Sequence, residues 1–291
     1  MSEIQRTVEG EARLEDEAAA SFVKARDRER YWAALFAPAA VRQALFALYA
    51  FNAELAHIAS AAREPMVAQI RLQWWRDAID LAAPGMKTGN PLADALSGAI
   101  LAYDLPRGRL AAMVAARIPE VTGDPPASLT DLRAALQESE GAVFELAAAI
   151  LGDTGDAARQ AARHAGLAYG LMQRLRTLPL QASRRRLLLP PSHLESRGAD
   201  LDWLYAGKPS AALAAALADF RDEAARELQR FRELRAALDK AAWPAFLPLA
   251  LVEPYLKAMA AHSFEPLQTV ATLNPLRQYW RIWRAALLRA V

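Results

Sequence analysis

The sequence predicts an all-α protein built as one domain. Of its 291 residues 54% are hydrophobic and only 13 are glycine, and this alanine-rich composition favours helices and allows a large core. Apolar residues recur at helical spacing between Val41 and Ile58. No window alternates apolar and polar residues over the length of a strand, so we expect no sheet.

The chain is expected to begin with a polar, mobile leader over residues 1–15, because this segment is charged and carries no apolar stripe. The rest, residues 16–291, is the predicted domain. Its first helix is predicted over residues 17–28.

Prolines in the first helical turn, where their missing N–H loses no hydrogen bond, mark several later helix starts. Pro65, Pro91 and Pro275 hold such positions, and the last two follow an asparagine that can cap the helix. Ser128 with Asp131, and Ser192 with Glu195, are further predicted caps. Helices are predicted over about residues 38–63, 65–83, 91–103, 106–118, 128–150, 156–178, 209–238 and 275–291, with a region kinked by Pro244, Pro248 and Pro254 before the last.

Charge and cysteine content exclude several classes of protein. A net charge of +2 gives no general attraction to nucleic acid, and zero cysteines exclude disulfides and thiolate zinc sites. The first residues resemble neither a signal nor a transit peptide, and the longest apolar run, residues 241–252, is too short to span a bilayer. We expect a cytoplasmic protein, peripheral at most at the inner face of a membrane.

Two separated segments resemble the signatures of the squalene/phytoene synthase family. The first contains Ala47–Phe51 and Arg71–Asp77, and the second contains Gly166–Arg176 and ends with Arg186–Pro190. The resemblance covers about residues 30–259 and implies an isoprenoid-synthase-like helical bundle around a central cavity. In the enzymes of that family, this cavity joins two isoprenoid diphosphates head to head, using magnesium held by aspartates.

The positions that match those aspartates carry neutral side chains here: Ala56, His57, Ser60, Thr177 and Gln181. Mg²⁺ requires hard oxygen ligands, chiefly carboxylates and water. The resemblance therefore implies a degenerate site with no metal and no cofactor, and Mg²⁺ is expected only if the chain is an active enzyme. Pro179 should end its helix near Leu178, so Gln181 need not face the cavity.

Other groups offer weak replacements for the aspartates. His57 prefers softer metals than magnesium and is expected to be a small polar wall of a collapsed cavity. Glu54 could reach the cavity rim, and Asp77 and Asp80 lie on the neighbouring helix. Carboxylates in such positions are more often solvated or paired.

Several signature residues are candidates for binding an anion or a lipid: Arg42, Tyr49, Phe51, Gln173, Arg174, Arg176 and Arg186. The run Arg184–Arg186 is either a solvated loop or part of an anion site. Trp75 is expected to pack in the core, with Arg76 paired to Asp80 four residues on. Neither residue favours nucleic acid as a partner.

The last helix carries arginine and tryptophan together. Arg277, Arg281 and Arg284 share one face, and apolar residues including Trp280 and Trp283 lie largely opposite. This helix is expected to cap the core, with contact to a membrane surface or a partner as the alternative.

The sequence leaves two main functions open. Asn52–Ala56, Glu64–Met66 and Ile70–Arg76 resemble a branch of the family that lacks the aspartates and includes the mitochondrial complex I assembly factor. This resemblance implies a non-catalytic protein that binds complex I subunits or assembly proteins, and an isoprenoid or lipid ligand. The alternative is an active prenyltransferase that condenses two isoprenoid diphosphates through unusual ligands. A weaker third option is a peripheral lipid-binding module.

Overall fold

Helix follows helix through the part of the chain that the structure describes. The computed structural model describes residues 3–61, 64–261 and 263–291, with side chains from Leu14 onward. These residues contain helices, turns and loops and no strand, which confirms the all-α prediction.

The helices of the first half are α1 (Glu3–Arg26), α2 (Arg28–Ala34), α3 (Ala39–Ala61), α4 (Pro65–Asp80), α5 (Pro91–Tyr103), α6 (Arg107–Ala115), α7 (Ile118–Thr122), α8 (Leu129–Leu136) and α9 (Ala142–Ile150), with a π-helical turn (Gln137–Gly141) between α8 and α9. The second half contains α10 (Asp156–Arg176), α11 (Leu178–Ser183), α12 (Pro191–Ser196), α13 (Leu201–Tyr205), α14 (Ala211–Leu234), α15 (Trp243–Phe246), α16 (Val252–Met259) and α17 (Pro275–Leu288). Between α14 and α16, 3₁₀ turns interrupt the helices, as the prolines predicted.

Most predicted helix starts are confirmed by their capping hydrogen bonds. Asn90 Oδ1 accepts from the backbone N–H groups of Leu92 and Ala93 at 3.0 and 3.2 Å. Ser128 Oγ accepts from the Asp131 N–H at 3.2 Å, and α4 begins at Pro65 as predicted. These caps satisfy N–H groups that the helix itself leaves without a partner.

Two predicted starts were wrong. The first helix begins at Glu3 rather than at residue 17, while the mobility of the leader stays a prediction. The Ser192 hydroxyl does not cap α12 but donates to the Ala127 carbonyl at 2.8 Å, so it ties the helix to a preceding loop.

Helix α3 forms one wall of the core. By length and apolar character alone it could cross a membrane, but 61% of its most apolar window is buried inside the fold. It packs against α1, α5 and α9. Burial on several sides therefore accounts for its composition.

Helix α10 forms the facing wall and packs closely on both of its sides. It lies along α14 on one side and against the π-helical turn and α9 on the other. At this crossing a Cβ on Gly166 would lie 2.4 Å from the Gly141 Cα and backbone nitrogen. Only glycine fits there, because real Cβ atoms do not approach backbone that closely.

We expect Gly166→Ala to destabilise the fold by about 1–3 kcal/mol or more, because the added methyl group overpacks a crossing between two backbones. Gly98→Ala is the matched control: Gly98 lies in α5 with no atom within 4 Å of an added Cβ. That change should stabilise the protein by about 0.5–1 kcal/mol through helix propensity. Urea denaturation measures both, and equal stability of the two variants would contradict the close crossing.

Candidate functional site

A cavity of about 880 Å³ lies between α3 and α10, the helices that carry the two signatures. Residues of α2, the π-helical turn, α7 and the segment before α17 complete its walls. The predicted central cavity is thus confirmed. It is open, so the expectation that it had collapsed around His57 was wrong.

The five positions matched to magnesium-binding aspartates all line this cavity: Ala56, His57, Ser60, Thr177 and Gln181. His57 Nδ1 lies 2.9 Å from a guanidinium nitrogen of Arg26, which donates to it. The nitrogen lone pair that a metal would use is therefore engaged.

Gln181 faces the cavity, contrary to the expectation from Pro179. Helix α10 ends at Arg176, and Pro179 lies in the first turn of α11, which returns Gln181 to the wall. Its amide donates to the Arg174 carbonyl at 2.7 Å and accepts from the Leu188 N–H at 2.9 Å. This buried glutamine fastens the chain segment that follows α11.

The candidate anion- and lipid-binding residues divide into two groups. Gln173, Arg174, Arg176 and Arg186 line the cavity. The other three do not. Tyr49 and Phe51 are core residues with at most 1% of their surface exposed. Arg42 instead donates to the carbonyls of residues 35 and 37 at the end of α2.

The three arginines of the run 184–186 have different surroundings, because the backbone turns at Arg185. Arg184 donates to the Ser60 carbonyl and Arg186 lines the cavity. Arg185, whose φ of 50° is left-handed, pairs with Asp202 at 3.4 Å. Arg184 also lines the cavity and Arg185 does not, so the run is divided between the cavity wall and the surface, and its part in an anion site stays a prediction.

The replacement carboxylates considered from the sequence do not line the cavity. Glu54 pairs with Arg71 at 2.6 Å, and Asp77 accepts from the Gln73 amide at 2.8 Å. The expected pair of Arg76 with Asp80 is absent among the described ion pairs. Trp75 is buried as predicted, with 2% of its surface exposed.

Four carboxylates that the sequence analysis did not single out line the cavity: Asp27, Glu29, Glu120 and Glu140. Four arginines contact them: Arg30, Arg117, Arg174 and Arg176. The formal charges of this set, the arginine–carboxylate network, balance.

Glu140 and Glu120 form the half of the network nearest the π-helical turn. Glu140 pairs with Arg30 at 2.7 Å and with Arg117 at 3.4 Å. Glu120 pairs with Arg117 at 3.1 Å and also with Arg174. Burial by itself would raise the pKa of each carboxyl, but the adjacent guanidiniums more than offset it, so both pKa values are lowered.

Glu29 and Asp27 form the other half. The hydroxyls of Tyr169 and Tyr255 donate to Glu29 at 2.7 and 3.0 Å, and Arg176 pairs with it at 3.2 Å. Desolvation dominates here and raises the pKa of Glu29. Asp27 pairs with Arg30 at 2.8 Å and caps α2.

The donor set does not fit a magnesium–diphosphate centre. Every carboxylate on the wall already contacts an arginine, and a dication would have to displace guanidiniums or lie beside them. No group of three or more His, Cys, Asp or Glu side chains that could hold a metal occurs among the described residues. The absence of a metal and a cofactor stays a prediction.

Sequence signals for the network existed but were ambiguous. Residues 26–30 alternate in charge directly before Tyr31 and Trp32, and Glu140 follows a polar run before Gly141. Such runs occur more often on solvated helix faces. The π-helical turn, which widens the helix by one residue, sets the position of Glu140, and sequence periodicity does not predict that turn.

Two helices expose apolar side chains. On α4, Met66, Ile70 and Trp74 are exposed by 72, 64 and 39%. On α17 the core contact is made by Gln278, Ile282 and Ala285, while both tryptophans and the leucines remain exposed. The expectation that α17 caps the core is correct only for this narrow face.

Comparison with known proteins gives a consistent family. The squalene/phytoene synthase profile matches residues 23–284. Complex I assembly factor 6 from Bos taurus is 28% identical over 266 residues, which are 90% of this chain and 80% of the bovine protein. The Homo sapiens protein of that name is 27% identical with the same coverage.

Solved structures share the fold. Squalene synthase HpnC from Alicyclobacillus acidocaldarius superposes with a TM-score of 0.74 at 22% identity, over 86% of this chain and 94% of that chain. A dehydrosqualene synthase in complex with ligand has a TM-score of 0.82 at 15% identity, over 96% and 98% of the two chains. At these identities the likeness establishes the isoprenoid-synthase fold.

The network predicts a specific loss of stability in Glu140→Gln. Removing one charge from a buried pair should destabilise the protein by about 3–5 kcal/mol at neutral pH, because Arg30 and Arg117 lose a compensating charge. Glu138→Gln is the control: Glu138 lies two residues away, is 47% exposed and pairs with Arg109, so its loss should be below about 1 kcal/mol. Urea denaturation distinguishes the two, and similar losses would contradict the buried network.

The same network predicts the effect of pH. Folding lowers the pKa of Glu120 and Glu140. Their contribution to the free energy of unfolding is therefore present above the unfolded pKa of about 4.3, and it is lost as the pH falls through the lower folded pKa. Glu29 has a raised pKa in the folded protein, so its contribution to stability is present at acidic pH and is lost as the pH rises through the folded pKa. Unfolding midpoints measured from neutral to acidic pH should fall more steeply for the wild type than for Glu140→Gln. Parallel curves would contradict this assignment.

Proposed function

This chain belongs to the squalene/phytoene synthase family, and from that premise we propose that it acts by binding, without prenyltransferase catalysis, in the assembly of respiratory complex I. The proposal rests on the arginine–carboxylate network, in which every carboxylate of the cavity wall is paired with an arginine. The complex I part of the proposal rests on similarity to the proteins named assembly factor 6.

The physical argument concerns the first step of prenyl transfer. Release of diphosphate builds up several negative charges, which the enzymes of this family neutralise with metal ions. Here the carboxylates that could anchor metals contact arginines, and the matched signature positions are neutral. Removing any of these arginines from its partner would leave a buried charge uncompensated.

A cavity of about 880 Å³ nevertheless has the size of a ligand site. Apolar side chains such as Leu136, Leu180 and Leu188 share its wall with the charged network. The Nε of Arg117 is buried and has no hydrogen-bond partner among the described residues. Because the wall carries eight arginines against four carboxylates, we infer a lipid or isoprenoid ligand with an apolar chain and a polar or anionic oxygen acceptor.

A protein that acts by binding also needs a contact surface, and α4 offers one. Its exposed apolar residues border a shallow groove of about 420 Å³ lined by Met66, Ile70, Val114 and Ile118. Exposed apolar patches of this kind mark protein contacts. We infer that a complex I subunit or assembly protein binds here, on the cytoplasmic side at the inner face of the membrane.

Incubation with farnesyl or geranylgeranyl diphosphate and Mg²⁺ or Mn²⁺ tests the catalytic part. We expect no diphosphate release above the blank, because the wall lacks free anionic anchors. An active squalene synthase in the same buffer is the positive control. Metal-dependent release by this chain would contradict the proposal and support the prenyltransferase alternative.

Deletion of the gene in its host tests the assembly part. We expect less assembled complex I on native gels, with recovery from the wild-type gene but reduced recovery from Met66→Ser/Ile70→Ser. Leu101→Ser/Leu129→Ser is the control, since both leucines are 42% exposed and lie outside the groove. Normal complex I in the deletion strain, with a pull-down that contains only unrelated proteins, would argue against an assembly role.

A further inference from the structure

Helix α17 carries an apolar stripe that points away from the rest of the protein. Leu276, Trp280, Trp283 and Leu287 follow the spacing i, i+4, i+7, i+11 and therefore share one face. Their exposed fractions are 80, 52, 40 and 62%. The core-facing residues of α17 lie on the opposite side, so the stripe is the outermost surface of this helix.

Positive charge flanks this stripe. Arg277, Arg281 and Arg284 lie about a quarter turn from it around the helix, and residues 275–291 contain no acidic side chain. Arg284 lies over the ring of Trp280, 5.1 Å from its centroid. Partial burial and the like charges of Arg277 and Arg284 lower the pKa of Arg281, as expected where cations are close together.

The acidic side chain that acts on Arg281 is already engaged in ion pairs. Glu253 acts on Arg281 electrostatically, but its oxygens pair with Arg232 at 2.8 Å and with Lys257 at 2.5 Å. Among the described ion pairs none involves Arg277, Arg281 or Arg284, so these arginines form a cationic surface.

We propose that α17 binds flat on the surface of an anionic phospholipid bilayer, with Trp280 and Trp283 at the headgroup boundary and the three arginines on lipid phosphates. Tryptophan and arginine are the residues that suit this boundary, because one part of each side chain is apolar and the other polar or charged. The charge complementarity favours an anionic bilayer over an uncharged apolar groove on a protein.

This orientation would place the cavity next to the membrane. Asn274, Pro275 and Gln278, at the start of α17, are part of the cavity wall. The surface also continues from α17 onto α2, because Tyr279 packs edge-on against Trp32 at 5.7 Å. A lipid could then reach the cavity from the headgroup region, which extends the ligand proposed above but does not depend on the complex I assignment.

Vesicle flotation with the purified full-length chain tests the proposal. Wild type should bind vesicles of phosphatidylcholine mixed with phosphatidylglycerol, and salt should weaken this binding. The triple variant R277Q/R281Q/R284Q should bind about a hundredfold more weakly, because each basic residue near an anionic surface contributes about a fivefold gain. W280S/W283S should lose about tenfold or more, and R277K/R281K/R284K should retain binding because the charge is kept.

Matched controls lie elsewhere on the surface. Trp203 is 51% exposed, nearly the same as Trp280, so W203S should bind as the wild type does. R163Q/R226Q/R235Q removes the same three charges from exposed positions on other parts of the chain and should change binding by less than about tenfold. Circular dichroism and thermal melting verify that each variant is folded, and the core-facing residues of α17 are left unchanged in all of them.

Three results of the flotation experiment would overturn the proposal. They are unchanged binding by the α17 variants, no binding by the wild type, and equal binding to pure phosphatidylcholine. If the α17 variants bind vesicles normally but fail to restore complex I, the helix contacts a protein and the membrane proposal is wrong. A further test needs no substitution: brominated anionic lipid should quench the tryptophan fluorescence of the wild type. Absence of quenching would also overturn the proposal. None of these vesicle results depends on whether the complex I proposal holds.

Discussion

The pairing of carboxylates with arginines inside the cavity is the interaction on which the rest of this site depends. The wall holds four acidic side chains and eight arginines, and each acid contacts at least one arginine. In the enzymes that the signatures resemble, magnesium held by aspartates is expected to compensate the diphosphates. In this chain guanidiniums provide the compensation for the protein's own carboxylates, so the same architecture is left without anchors for metal ions.

Burying eight charged side chains costs desolvation free energy, and the surrounding helices supply the hydrogen bonds and ion pairs that offset it. The π-helical turn places Glu140 between two arginines, and the glycine crossing at residues 141 and 166 brings that turn against α10. Tyr169 on α10 and Tyr255 on α16 donate to Glu29. Because such a set is stabilising only when it is complete, changing one member affects partners on several helices.

Polar chemistry inside the cavity contrasts with apolar groups on the outer surface. Met66 and Ile70 on α4, and the stripe on α17, expose apolar side chains to solvent. Helix α17 belongs to both regions, because Gln278 on this helix also lines the cavity. The family fold here presents two exposed apolar surfaces and one open cavity.

Local chemistry made most of the fold predictable from the sequence: proline at first turns, asparagine and serine caps, and helical spacing of apolar residues together specify α4, α5 and α10 closely. The signature positions on α3, α10 and α11 also lie together as their resemblance implied. Burial of charge was not predictable, because Asp27, Glu29, Glu120 and Glu140 come from distant segments, and a charged run has the same pattern whether it faces water or an arginine. The exposed side of α17 was equally undetermined, since an amphipathic helix specifies two faces but only tertiary packing selects which one meets the core.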